Sequence, residues 1–240
     1  MVIKNIDKFN WTASSYIIRS NWVRIKNGFV WMPIPKNAST SIRQILGFRN
    51  TVKSDTIDLT KTKNFTIIRE PIDRFVAGFI EGFYKRDAND FRYKAVLDMS
   101  IKKEAEMSNR LDELKSKNLT DEDNLVNYLN LISEYGFFEG HIMPQTKFIE
   151  YCIGDTPHEL QDFINTKLNI FKIENLSKFY EFMGVNNMAV KNPTKGHLSS
   201  MKNKLLNFVY GNDGVLGEIK KIYVEDLKLY GSFDDNKLVI

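Results

Sequence analysis

Residues 29–46 read FVWMPIPKNASTSIRQIL, and the order of the parts in this stretch decides the fold class. The run FVWMPI is short, apolar and rich in β-formers, as a buried strand is. The segment TSIRQIL that follows sets Ile42, Ile45 and Leu46 at helical spacing, with Gly47 placed to end the helix. Between strand and helix lie Lys36, Asn37, Ala38, Ser39, Thr40 and Ser41: one cation, one amide and a run of small or hydroxylated side chains.

The same unit recurs further on. NFTIIR (64–69) reads as a strand, and Pro71 suits the first turn of the helix PIDRFVAGFIEGFY, where its missing N–H would be unpaired anyway. Residues 86–135 are long, charged and helix-favouring, and read as a solvated pair of helices, the alternative being that these helices form one wall of an acceptor site. TKFIEYCIG (146–154) has the composition of a strand, and a helix is predicted from Pro157 to Lys167. NIFKI (169–173) reads as a strand and ENLSKFYEFMG as a helix ending near Gly184. VKNPTKGH (190–197) is punctuated as a loop, and two helical stretches close the chain. Strands alternating with helices predict a mostly parallel sheet covered on both faces, with ligands beyond the strand C-terminal ends.

Composition bounds the rest. A chain of 240 residues, 42% hydrophobic and 27% charged, suffices for one sizeable core, so a single domain over 1–240 is expected, with a helical insertion at about 86–135. A net charge of +4 favours anionic partners, while a nucleic-acid binder would be more basic, so no nucleic-acid partner is expected. Cys152 is the only cysteine, which excludes an intrachain disulfide and a cysteine-rich zinc site. No apolar run approaches the length of a membrane span or a signal-peptide core, so the expectation is a soluble, cytoplasmic protein.

A loop that leaves a parallel strand and enters a helix N-terminus gathers free backbone N–H groups and the positive end of the helix dipole, which makes it an anion site. Small residues at 38–41 let a phosphate approach the backbone, and Lys36 adds a full charge. Ser39 or Thr40 also suits plain helix capping. The ATPase loop G-x-x-x-x-G-K-[ST] is not present, because here the lysine precedes the small residues and the glycines are missing. A phosphate-like group is therefore held by a different arrangement.

These residues resemble the sulfotransferases. FVWMPIPKNASTSIRQIL is similar to their 5'-phosphosulfate loop, and FTIIREPIDRFVAGF to their 3'-phosphate motif. GHIMPQTKFIEY, FKIENLSKFYEFMGV and IKKIYVEDLKLYG resemble later blocks of the carbohydrate-type branch, in family order over about residues 29–231. The resemblance implies an α/β three-layer sandwich with a central mostly parallel sheet and a P-loop-like 5'-phosphosulfate loop. It implies the donor 3'-phosphoadenosine 5'-phosphosulfate (PAPS), the product 3'-phosphoadenosine 5'-phosphate, a hydroxyl acceptor expected to be a carbohydrate, and no metal. The alternatives are a nucleotide-dependent phosphotransferase and a catalytically silent nucleotide-binding module.

By the same resemblance, Lys36 contacts the 5'-phosphate and the oxygen bridging it to sulfur, and residues 37–41 cradle the 5'-phosphate. Arg69 grips the 3'-phosphate through its planar fork. Arg74, four residues beyond Glu70, reads rather as structural support. Ala77 stands where the family usually has Ser, removing one hydroxyl from the 3'-phosphate, and Lys195, Thr194 or Lys191 in the late loop are candidates to replace it. His141, in an H-x-x-P-Q-like block, is the expected general base, with Glu139 as its rival. His158 reads as a surface residue and His197 as a loop residue, while Glu174 and Asn175 fix a strand end and a helix start.

Overall fold

The computed structural model describes residues 22–39, 42–43, 46–48, 50–53, 56–85, 101–137, 140–153, 157–185, 197–233 and 238–239. The chain forms two compact units, one built from residues 20–71, 144–193 and 225–240 and the other including 72–143 and 194–224.

The first unit carries the sheet. Its strands are β1 (Trp22–Lys26), β2 (Phe29–Met32), β3 (Thr51–Lys53), β4 (Lys63–Ile68) and β5 (Leu168–Lys172), in the order β3-β1-β2-β4-β5. β2, β4 and β5 are parallel, with Phe29 opposite Lys63 and Asn64 opposite Leu168. β1 and β3 extend this parallel core as an antiparallel edge. Asn27 and Gly28, at φ 51° and 78°, make the two-residue turn between β1 and β2, a geometry that matches the twist of a hairpin and that glycine adopts without a Cβ clash.

Both faces of this sheet are covered, and the period-two alternation of the strands explains how. Val30, Met32, Ile68, Leu168 and Ile170 face one side and pack with Ile149, Cys152 and Ile164 from the helices α4 (Gln145–Ile153) and α5 (Pro157–Thr166). Trp31, Phe65, Ile67 and Phe171 face the other and pack with Ile42, Leu46, Phe48 and with Phe179 of α6 (Ser177–Phe182). Three layers result within this unit.

One predicted element changes type: residues 146–154 are not a strand, because Gln145–Ile153 is the helix α4. Phe, Ile, Tyr and Cys in a short run suit either state, and packing decides between them. Ile149 and Cys152, three residues apart, form one stripe against the sheet, and Lys147 pairs with Glu150 at 2.5 Å across one helical turn.

The second unit is helical. It holds α1 (Pro71–Tyr84) after its first residue, α2 (Ile101–Ser116), α3 (Asp121–Tyr135), α7 (His197–Tyr210) and α8 (Asp213–Ile222). The final helix, α9 (Val224–Gly231), returns to the sheet unit after Val224. α3 starts where the Thr120 side chain accepts from the Asp123 N–H, with Asp121, Glu122 and Asp123 on the positive end of its dipole. The reading of 86–135 as a solvated pair is corrected here. α3 buries Leu125, Val126, Tyr128, Leu129, Leu131 and Ile132, and α2 turns Met107, Leu111 and Leu114 into the same core as Phe75, Phe79 and Phe83. Charges on the outer face of α2 masked this stripe in the sequence. Residues 86–100 lie outside the described segments.

Candidate functional site

β2, β4 and β5 end on one edge of the sheet, and the predicted phosphate-binding residues of the sheet unit leave from that edge. After β2 the chain turns, with the Asn37 N–H donating to the Ile34 carbonyl at 3.3 Å. Lys36 and Ala38 both take left-handed backbone conformations, at φ 69° and 57°. Such geometry costs about 1–3 kcal/mol for a residue with a Cβ and persists only where its surroundings enforce it. Beyond the turn the Ile42 N–H donates to the Ala38 carbonyl at 3.0 Å, a helical bond, and the Ser39 N–H has no acceptor among the described residues.

The enforcement comes from Asn37. Its side chain is buried, and its Nδ2 donates to the Ile67 carbonyl of β4 at 2.8 Å and to Gln145 Oε1 at 2.6 Å. Beyond Met32, where β2 has ended, a side-chain amide thus takes a β4 carbonyl that a strand would otherwise bind. Asn37 Oδ1 is buried without a partner among the described residues, at a cost of about 1–3 kcal/mol.

Arg69 follows directly on β4. Its guanidinium donates to the Lys36 carbonyl at 3.2 Å, which ties the Arg69 side chain to the backbone of the loop that carries Lys36. Its backbone is held by the amide of Gln145: the Arg69 N–H donates to Oε1 at 2.9 Å, and Nε2 donates to the Arg69 carbonyl at 2.9 Å. Gln145 in turn opens α4 under a carboxylate cap. Asp226 Oδ2 accepts from the Gln145 N–H at 2.6 Å, and Oδ1 from the Thr146 N–H at 2.9 Å and the Thr146 hydroxyl at 2.8 Å. At the end of β5, the Asn175 N–H donates to the Lys172 carbonyl at 3.0 Å and Ser177 Oγ to Asn175 Oδ1 at 2.7 Å, the strand-to-helix role expected for Asn175. Glu174 Oε1 accepts weakly from the Glu70 N–H at 3.5 Å. Lys172 itself lies over the Tyr230 ring at 4.1 Å and donates to the Phe233 carbonyl at 2.7 Å, tying the last helix to the sheet.

In the helical unit, three successive carbonyls position the half-buried His141. A Cβ on Gly78 of α1 would lie 2.4 Å from the His141 carbonyl oxygen, so only glycine permits this approach. The Tyr223 hydroxyl donates to the Ile142 carbonyl. Arg74, fully buried, donates to the Met143 carbonyl at 2.6 Å, a structural contact with a partner that its spacing from Glu70 did not suggest. Ala77 is half-buried on the same helix. His197 is the exposed first residue of α7 rather than a loop residue. Thr40, Ser41, Glu139, Lys191, Thr194 and Lys195 lie outside the described residues, as does the side chain of His158.

Sequence reasoning did not single out Gln145, Asp226, Gly78 or Tyr223. Gln145 carried a signal in the H-x-x-P-Q block, whereas Asp226 meets its partners across 80 and 81 residues, a pairing no local pattern reveals. Burial pushes the Cys152 thiol up to about 12, so it is no nucleophile. Among the described residues no group of three or more His, Cys, Asp or Glu side chains is placed to hold a metal, and no helix is long and apolar enough to cross a membrane.

No curated protein and no solved structure matches the chain. A family model described as the sulfotransferase family matches residues 19–234, which include β2 and its loop, β4 with Arg69, and the Gln145 and Asp226 that hold them. On that match, over nearly the whole length, the chain belongs to the sulfotransferase family.

Proposed function

We propose that the protein transfers a sulfuryl group from PAPS to an acceptor hydroxyl, with a carbohydrate as the acceptor class. Family membership supports sulfuryl transfer in general. The observation that carries the choice of donor is the bond from Arg69 to the Lys36 carbonyl, because it ties Arg69 to the backbone of the loop that carries Lys36, and a ligand with two phosphates needs two cations.

In this reading the 5'-phosphate lies against the left-handed turn of Lys36 and Ala38 and the N–H of Ser39, with Thr40 and Ser41 adding hydroxyls. Lys36 stabilises the charge that grows on the bridging oxygen as the bond to sulfur breaks, an interaction stronger in the transition state than in the ground state. Arg69 binds the 3'-phosphate with the remaining geometry of its fork, and Lys195 supplements it. His141 accepts the proton of the acceptor hydroxyl, with its backbone fixed by Gly78, Tyr223 and Arg74. The protein works without a metal and in the cytoplasm.

Calorimetry with adenosine 3',5'-bisphosphate and adenosine 5'-monophosphate tests the donor site. A charge-assisted contact to the second phosphate supplies roughly 1.5–3 kcal/mol, so the bisphosphate should bind roughly 10- to 150-fold more tightly. Equal affinities would remove the 3'-site. A screen with sulfur-labelled donor against saccharides, peptides, flavonoids and lipids then identifies the acceptor. Lys36→Ala should lower turnover more than donor affinity.

A further inference from the structure

We infer that Gln145 is a positioning residue that locks the Lys36 loop and the Arg69 strand end into one rigid receptor, so that the two phosphates of a nucleotide bisphosphate are bound at a fixed spacing. The inference rests on the donor site proposed above. Its basis is a closed ring of hydrogen bonds: Asn37 Nδ2 to Gln145 Oε1, Gln145 to both backbone groups of Arg69, and the Arg69 guanidinium back to the Lys36 carbonyl, adjacent to Asn37. Neither element can shift along the sheet edge without breaking a member of this ring.

The ring has one orientation only. Oε1 faces two donors and Nε2 faces a carbonyl, so turning the amide over would set N–H against N–H and oxygen against oxygen. Asp226 fixes the backbone from which the side chain springs, through the Gln145 and Thr146 N–H groups. Gln145, Asn37 and Asp226 are each about 1% exposed, so water does not compete for these bonds. Asn37 is likewise held in one orientation, because its Nδ2 faces the Ile67 carbonyl and Gln145 Oε1, both acceptors, while its Oδ1 goes without a partner among the described residues.

The consequence is cooperative recognition. Two phosphates held by one rigid frame act with an effective concentration that two loosely joined elements lack. The test compares wild type with Gln145→Met, which keeps the volume and removes all three side-chain bonds. Calorimetry would use adenosine 3',5'-bisphosphate, adenosine 3'-monophosphate and adenosine 5'-monophosphate. The bisphosphate should lose at least about tenfold more affinity than the product of the two monophosphate losses. Asn37→Ser, which opens the ring at another point, should give the same excess, and it carries the test if Gln145→Met melts too low for titration. A variant that lowers only the melting temperature, with the bisphosphate loss equal to that product, overturns the inference and leaves the donor site standing. A wild-type protein that binds all three nucleotides alike overturns the donor site and the inference with it.

Discussion

Gly78→Ala isolates the link between the helix α1 and His141. The added Cβ would stand 2.4 Å from the His141 carbonyl oxygen, 2.9 Å from its carbon and 3.1 Å from Ile142 Cγ2, whereas ordinary contact begins at 3.4 Å. The 141–142 backbone must therefore retreat by about 1 Å. A flexible side chain could turn aside, but these are main-chain atoms, and the neighbouring Ile142 and Met143 carbonyls are bound by Tyr223 and Arg74. Alanine favours the helix by roughly 0.5–1 kcal/mol over glycine, while forced overpacking costs about 1–3 kcal/mol. The net destabilisation should be about 1–2 kcal/mol, a fall of a few degrees in Tm for a chain of this size.

The larger effect belongs to the reaction. A displacement of about 1 Å at a reacting group costs on the order of 10² in rate. Labelled-sulfate transfer should show kcat down by about that factor, with donor affinity by calorimetry within a few-fold, because the clash falls on the 141–142 backbone and not on the loop of Lys36. His141→Ala should lower the rate by roughly 10² to 10⁴, and adding Gly78→Ala to it should change little further. A Gly78→Ala protein with raised Tm and unchanged kcat would show that the segment yields freely and would refute the reasoning. Full additivity of the two substitutions would place the effect of Gly78 elsewhere.

Ala77→Ser on α1 should restore the missing hydroxyl and tighten adenosine 3',5'-bisphosphate binding by a few-fold to about tenfold in calorimetry. No gain would mean that another group already serves, with Thr194 and Lys195 next to test. Cys152 should impose an alkaline limit on stability. Its folded thiol is raised to about 12 while the unfolded one titrates near 8.5, so its contribution is complete below about pH 8.5 and is lost as pH rises toward 12. Denaturant unfolding should show a loss of about 2 kcal/mol from this group by pH 10, missing in Cys152→Ala. The same alkaline slope in both proteins would exclude it.

Much of the frame was legible in the chain because its signals are local. β2 and its loop, β4 running into Arg69 and Pro71, β5, and the helices α5 to α7 each announce themselves by period, turn chemistry or a proline. The Asn27-Gly28 turn of the β1–β2 hairpin was equally local, though it went unread. The family match agrees with the ordered motif blocks that the sequence displays.

Other features were decided only by tertiary structure. The segment after Pro144 became a helix because Ile149 and Cys152 found the sheet and Asp226 capped its first turn from 81 residues away. α3 became core because Phe79 and Phe83 stand opposite its apolar positions, despite its charges. Local pattern encodes a period and the chemistry of a turn. It does not encode which remote amide will meet which carbonyl, and so the sequence alone determined that Lys36 and Arg69 leave two strand ends, while the joining of those ends through Gln145, across 108 and 76 residues, awaited the packing of the chain.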